Sequence, residues 1–194
     1  NRAVLAKLPL YGVEDEIEGR CFKDVFCTQL VVDEIKANAP IYGVDLSGVE
    51  DYMLPRILDK ALVSPDVKYN QLASRVANKF GDRLGLLLLT LKLGEKENRD
   101  ARPEWNDEHW QYWEELETVI FVGGLASSML GRRFKERIQN IFDILFRYCT
   151  VTDQKFPCLP HRINPVSALR LKPYRSFIQK IFQHTFIVIK KGSL

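Results

Sequence analysis

The chain has 194 residues, of which 46% are apolar and 27% charged, and it carries a net charge of +3, the profile of an ordinary globular protein with one good core or two small lobes. No apolar run reaches the roughly 18 residues of a membrane span; the longest, 84–93, is interrupted by Gly85, Thr90 and Lys92. Cys21, Cys27, Cys149 and Cys158 are too few and too scattered for a disulfide framework and contain no C-x-x-C pair, so reduced thiols in a cytoplasmic protein are expected.

The first seven residues break their apolar stretch after four, so no signal peptide is expected, and Asn1 in place of an initiator methionine suggests a fragment lacking an N-terminal portion. Over 22–37, Phe22, Val25, Phe26, Leu30 and Val31 recur at helical spacing, and Pro40 ends the segment. Residues 41–48 read as a short extended piece or a loop. A helix is expected over 49–62, with Pro55 as the objection, resolved by a kink or by a late start at Leu54. Ser64-Pro-Asp66 signals the start of the clearest helix in the chain. Its apolar positions are Leu72, Val76, Phe80, Leu84, Leu87, Leu88 and Leu91, its stop is Gly94, and Ala73 and Ala77 allow close packing on a neighbour.

Residues 95–103 read as a charged loop, and 105–116 as a second helix carrying Trp105, His109, Trp110 and Trp113. The apolar, β-branched run 119–122 reads as a buried strand. It stops at Gly123-Gly124 and is followed by an amphipathic helix over 131–148. Beyond Cys149 four prolines loosen the pattern; only 177–189 looks regular, with a terminal strand over 186–189. The domain organisation expected is a helical segment at 1–63, a helix–strand–helix core at 64–148 and a basic segment at 149–194.

Charge is uneven along this order. Residues 1–131 carry 15 basic and 22 acidic side chains, and residues 132–194 carry 13 and 3. Such asymmetry marks either a phosphate or nucleic-acid surface or two ends that neutralise each other in the fold. Arg132, Arg133, Lys135 and Arg137 cluster just after the glycine turn, and read as a phosphate contact or as a solvated helix face paired with Glu136. The tryptophans read as core, with sugar or base stacking as the alternative. Glu14-Asp-Glu-Ile-Glu18 reads as surface charge, and Cys158 with His161 is half a metal site with no second half.

A strand ending in two glycines before a helix suits a small-ligand site, because glycine turns sharply and lets a flat ligand approach the main chain. The segment Ala73-Ser-Arg-Val-Ala-Asn-Lys-Phe-Gly-Asp-Arg-Leu-Gly85, together with Val119-Ile-Phe-Val-Gly-Gly124, resembles the C-terminal lobe of the actin-like ATPase superfamily of sugar kinases and chaperone ATPases. Within it the likeness is to the ROK family, and it covers residues 70–133. The resemblance implies an α/β, helix-rich, partial actin-like (ribonuclease H-like) lobe. It also implies an adenosine site at Gly123, Gly124, Leu125, Ala126 and Ser127, with ATP and Mg2+ as cofactors and a small acceptor such as a sugar. The helix starting near Ser128 is then expected to present free N–H groups to ligand oxygens.

The chain departs from that family in its phosphate chemistry. No Asp-x-Gly-x-Thr loop and no Gly-Thr-Gly loop occurs, the nearest stretch being His184-Thr185 with Lys190 and Gly192. Nothing ties Asp45 to the role of base, so no complete catalytic set is present. The expectation is a nucleotide-binding lobe of a kinase or of a non-catalytic relative. The alternative is a non-enzymatic scaffold whose basic C-terminal third contacts an acidic partner. Nucleic acid is the less favoured partner, a membrane is not expected, and self-association is left open.

Overall fold

The computed structural model describes residues 3–123, 127–145 and 185–191. In chain order its helices are α1 (Phe22–Val25), α2 (Thr28–Asn38), α3 (Leu54–Ala61), α4 (Val67–Leu93), α5 (Lys96–Asp100), α6 (Asp107–Glu114) and α7 (Met129–Leu145). Strand β1 (Leu116–Gly123) lies between α6 and α7, and β2 (Thr185–Lys191) follows. The described residues are therefore helix-rich, as expected. Their sheet is an antiparallel pair, with Val119 opposite Ile189 and Gly123 opposite Thr185. That ribbon is smaller than the sheet of a complete actin-like lobe. The terminal strand falls where its β-branched run placed it; its partner is the strand before the glycine turn.

Helix α4 is the axis. Asp66 caps it by accepting from the Lys68 N–H at 2.9 Å, so Pro65 precedes the helix rather than sitting in its first turn. Gly94 ends it at φ +50°, a left-handed conformation that suits glycine at a helix C-terminus. Every residue from Phe80 to Leu91 is buried, as befits a helix surrounded by neighbours. Helices α2, α3, α6 and α7 all pack against it. Buried residues from Ala3 to Phe142 form one hydrophobic cluster around it. No helix among the described residues is long and apolar enough to cross a membrane.

The closest packing is between α4 and α7. A Cβ added at Gly81 would lie 2.7 Å from the Arg137 Cβ, and one at Gly85 3.1 Å from the Ile141 Cγ1. Four residues along α4 thus match four along α7, so the helices run parallel. Ala73 and Ala77, both fully buried, continue the same stripe of small residues. Two glycines inside a helix cost about 1 kcal/mol each in propensity; here they let the backbones approach. Beside them Asp82 and Arg137 form a two-pronged ion pair, with both N–O distances 2.7 Å.

Elsewhere tertiary contacts override local pattern. The helix expected over 22–37 is broken, because Phe26 is extended (φ −145°, ψ 113°). The break seats the Phe26 ring edge-on against Phe80 and Phe134. Helix α3 takes the late start, with Pro55 in its first turn, where proline removes no helical hydrogen bond. The charged stretch after Gly94 is the short helix α5, and its Asn98 side chain clasps both the N–H and C=O of Lys7, at 3.1 and 2.9 Å. Residues 41–48 form turns rather than a strand.

Candidate functional site

The segment from Gly123 to Ser127 links the end of β1 to the start of α7. Val119 and Phe121 anchor β1 in the core. Gly123 closes the strand and Ser127 is exposed on the way into α7, whereas Gly124, Leu125 and Ala126 lie outside the described residues. Helix α7 is held by Leu130, Phe134, Ile138, Ile141 and Phe142, an apolar stripe at three- and four-residue steps that is buried throughout.

Two of the amides at the start of α7 have partners within the chain. Asp59, on α3, accepts a hydrogen bond from the Leu130 N–H at 2.8 Å. The Ser128 hydroxyl accepts from the Gly131 N–H at 3.0 Å, and its carbonyl from the Arg132 N–H at 3.1 Å. A helix start lacks internal partners for its first N–H groups and carries a partial positive charge, so a carboxylate there is favourable. The protein supplies that carboxylate itself. Asp59 had no local signal, because its partner is 71 residues away in sequence.

This arrangement bears on ATP. The amides that would cradle a phosphate at the head of α7 are engaged by Asp59 and Ser128, and Asp59 adds a negative charge of its own. Two amides of this helix start, those of Leu130 and Gly131, are thus already engaged within the chain. No set of three or more His, Cys, Asp or Glu side chains is placed to hold a metal ion among the described residues. Asp45 lies in the turns after α2, and its carboxylate accepts from the Ser47 N–H at 2.8 Å. The bonds from Ser47 hold that carboxyl below its ordinary range.

The other candidate groups are largely committed to the fold. Arg137 pairs with Asp82, which raises its pKa, and Arg133 pairs with Glu136 at 3.4 Å. Burial, helped by the charge of Arg132, lowers the Lys135 ammonium. Trp110 and Trp113 are buried core residues. Trp105 stacks with His109 and Trp113, and the Arg102 guanidinium lies 3.7 Å from its ring centre. Burial pushes the Arg102 guanidinium down.

In the acidic run at 14–18, Asp15, Glu16 and Glu18 are exposed, as expected of surface charge, and Glu14 is half-buried. Glu14 and Glu16 both receive Arg83, at 2.8 and 3.0 Å, and the Arg83 side chain is only 7% exposed. Burial raises the Glu14 carboxyl despite the guanidinium, whereas at Glu16 burial is outweighed by hydrogen bonds from its own backbone, Glu14 and Arg83, which hold it low. Glu18 accepts from the Leu8 N–H and the Tyr11 hydroxyl. Cys21 and Cys27 are half-buried free thiols, and Cys158 and His161 lie outside the described residues.

Comparison of the chain with protein families, with curated proteins and with solved structures finds no match.

Proposed function

We propose that the chain is the nucleotide-binding lobe of a ROK-like sugar kinase or of a non-catalytic relative, with the nucleoside resting on the turn formed by Gly123, Gly124, Leu125, Ala126 and Ser127. The observation that supports this reading is the order of elements. A long helix, a strand ending in glycine and a second helix are joined so that the two helices run parallel and in close contact. The sequence supplies neither phosphate loop and no assignable base. Phosphoryl transfer to a sugar-like acceptor, with Mg2+ on the phosphates, would therefore draw on groups outside the described residues. Titration calorimetry with Mg-ATP tests the reading. Saturable binding by the wild-type chain, abolished in a folded Gly124→Val variant, is the expected result. Unchanged binding by that variant sinks the assignment of the turn.

A scaffold role is favoured instead by the 13 basic against 3 acidic side chains of residues 132–194. Acidic-partner binding of that kind weakens steeply with salt. Arg133 and Arg137 weigh less in it than their sequence suggests, since Glu136 and Asp82 already engage them.

A further inference from the structure

Residues 3–20 form a strap on the helical body, and its two clasps differ in chemistry. Leu5, Leu8 and Ile17 are sunk in the core. The strap closes on itself where the Gly19 N–H donates to the Leu5 carbonyl at 2.8 Å and the Leu5 N–H to the Arg20 carbonyl at 2.9 Å. At one clasp the uncharged Asn98 side chain holds the Lys7 backbone, while the Lys7 ammonium pairs with Glu95 and Glu97. At the other, the Arg83 guanidinium of α4 donates to Glu14 at 2.8 Å, to Glu16 at 3.0 Å and to the Val25 carbonyl at 3.5 Å. One cation thus meets two carboxylates, which leaves one negative charge in excess when both are ionised. The Glu16 side chain is 53% exposed and stays hydrated, but that of Glu14 is 13% exposed, where water offsets a charge least. The two carboxyls also hydrogen-bond each other, an arrangement that favours one shared proton.

We propose that this cluster is a proton-operated latch: with a proton on Glu14 the strap stays seated on α4, and loss of that proton lets residues 3–20 open locally while the helices remain folded. The charges acting on Glu14 are Arg83 from α4 and Glu16 from its own segment. Around them, Asp15 accepts from the Gly12 N–H and Glu18 from the Leu8 N–H; Lys79, one turn before Arg83, pairs with Glu34 of α2, and Lys23 of α1 with Asp24. Burial raises the Glu14 carboxyl, and opening returns it to water and its ordinary range. Its hold is therefore complete below that range and lost as pH rises through the raised value. Glu16 is held low, so its hold is present above the ordinary range and lost only as pH falls. A plain ion pair would instead grip more firmly once both partners are charged.

Amide hydrogen exchange, corrected for the intrinsic effect of pH, tests the latch from about pH 4.5 to about pH 7.5. Protection at Leu5 and Gly19 is read against that of Leu89, in the buried middle of α4, so that opening of the strap is separated from global unfolding. In wild type the relative protection of Leu5 and Gly19 should fall as pH rises, by up to about tenfold per pH unit, the limit for release of one proton. Glu14→Gln keeps a neutral hydrogen-bonding side chain and should flatten that fall; Asp15→Asn, at an exposed neighbour, should leave it as in wild type. Protection that holds constant or rises with pH in wild type overturns the proposal, as does a fall that persists in Glu14→Gln or disappears in Asp15→Asn. Exchange at Leu5 and Gly19 that matches Leu89 at every pH also overturns it, because the strap then opens only with the whole fold. Carboxyl carbon NMR of the wild type decides the matter if Glu14→Gln does not fold. Glu14 should titrate above Glu16 and in step with the loss of protection, and a midpoint at or below that of Glu16 ends the proposal.

Discussion

Gly81→Ala is the most informative single change in the fold, because two sizeable effects oppose each other there. In an exposed helix interior the substitution stabilises by about 1 kcal/mol through propensity alone. At Gly81 the new methyl would sit 2.7 Å from the Arg137 Cβ, 3.0 Å from its Cγ and 3.4 Å from the Phe134 Cα. Carbon atoms prefer about 3.5–4.0 Å, so α7 must retreat by roughly 1 Å. That retreat pulls Arg137 away from Asp82, where both N–O distances are now 2.7 Å. Overpacking of this kind costs about 1–3 kcal/mol, which less the propensity gain leaves a net loss of up to about 2 kcal/mol. In a chain of this size that lowers Tm by up to roughly 8 °C. Gly85→Ala is the internal comparison: its nearest contacts are 3.1–3.3 Å, and strain there should come close to cancelling the propensity gain. Urea unfolding followed by circular dichroism measures both. If Gly81→Ala is as stable as wild type or more so, the close parallel packing of α4 on α7 is wrong.

Three further outcomes follow from the polar groups around α4. Arg83→Met leaves Glu14 and Glu16 without their shared cation and should cost about 3 kcal/mol, as expected when a buried pair loses one partner. Adding Glu14→Gln and Glu16→Gln should recover most of that loss, and strictly additive costs in a mutant cycle would refute the coupling. Glu14 and Glu16 respond oppositely to pH. Burial raises Glu14, so its contribution to stability declines as pH rises above the ordinary carboxylate range; Glu16 is held low, so its contribution is present above that range and lost as pH falls. The Tm of Glu14→Gln minus that of wild type should therefore shift in the positive direction from about pH 4 to about pH 7, and a shift in the negative direction contradicts the assignment. Asn98→Ala removes both hydrogen bonds to the Lys7 backbone and should cost about 1–3 kcal/mol. Faster hydrogen exchange at the Lys7 amide is the accompanying sign, and unchanged protection there would disprove the clasp.

The parts of the fold legible in the sequence are those with local causes. Asp66 and Gly94 bound α4 through bonds to residues within one turn. Pro55 restricts α3 to a late start, and the β-branched runs of β1 and the terminal strand need only their own composition. What escaped local reading has a distant cause. The break at Phe26 is set by aromatic rings on α4 and α7. Arg83, nearly 70 positions away, pairs with Glu14 and Glu16 of the acidic run at 14–18.

The candidate site divides along the same line. Gly123 at the end of an apolar run announces a turn that a ligand can approach, and the amphipathic pattern after it announces a helix. Those two signals alone imply an anion cradle, since a helix start behind a glycine turn offers free amides. The tertiary structure adds what neither signal holds: α3 packs against α7 and brings in Asp59, whose carboxylate accepts from the Leu130 N–H. The bond that completes the start of α7 thus belongs to neither segment until they meet.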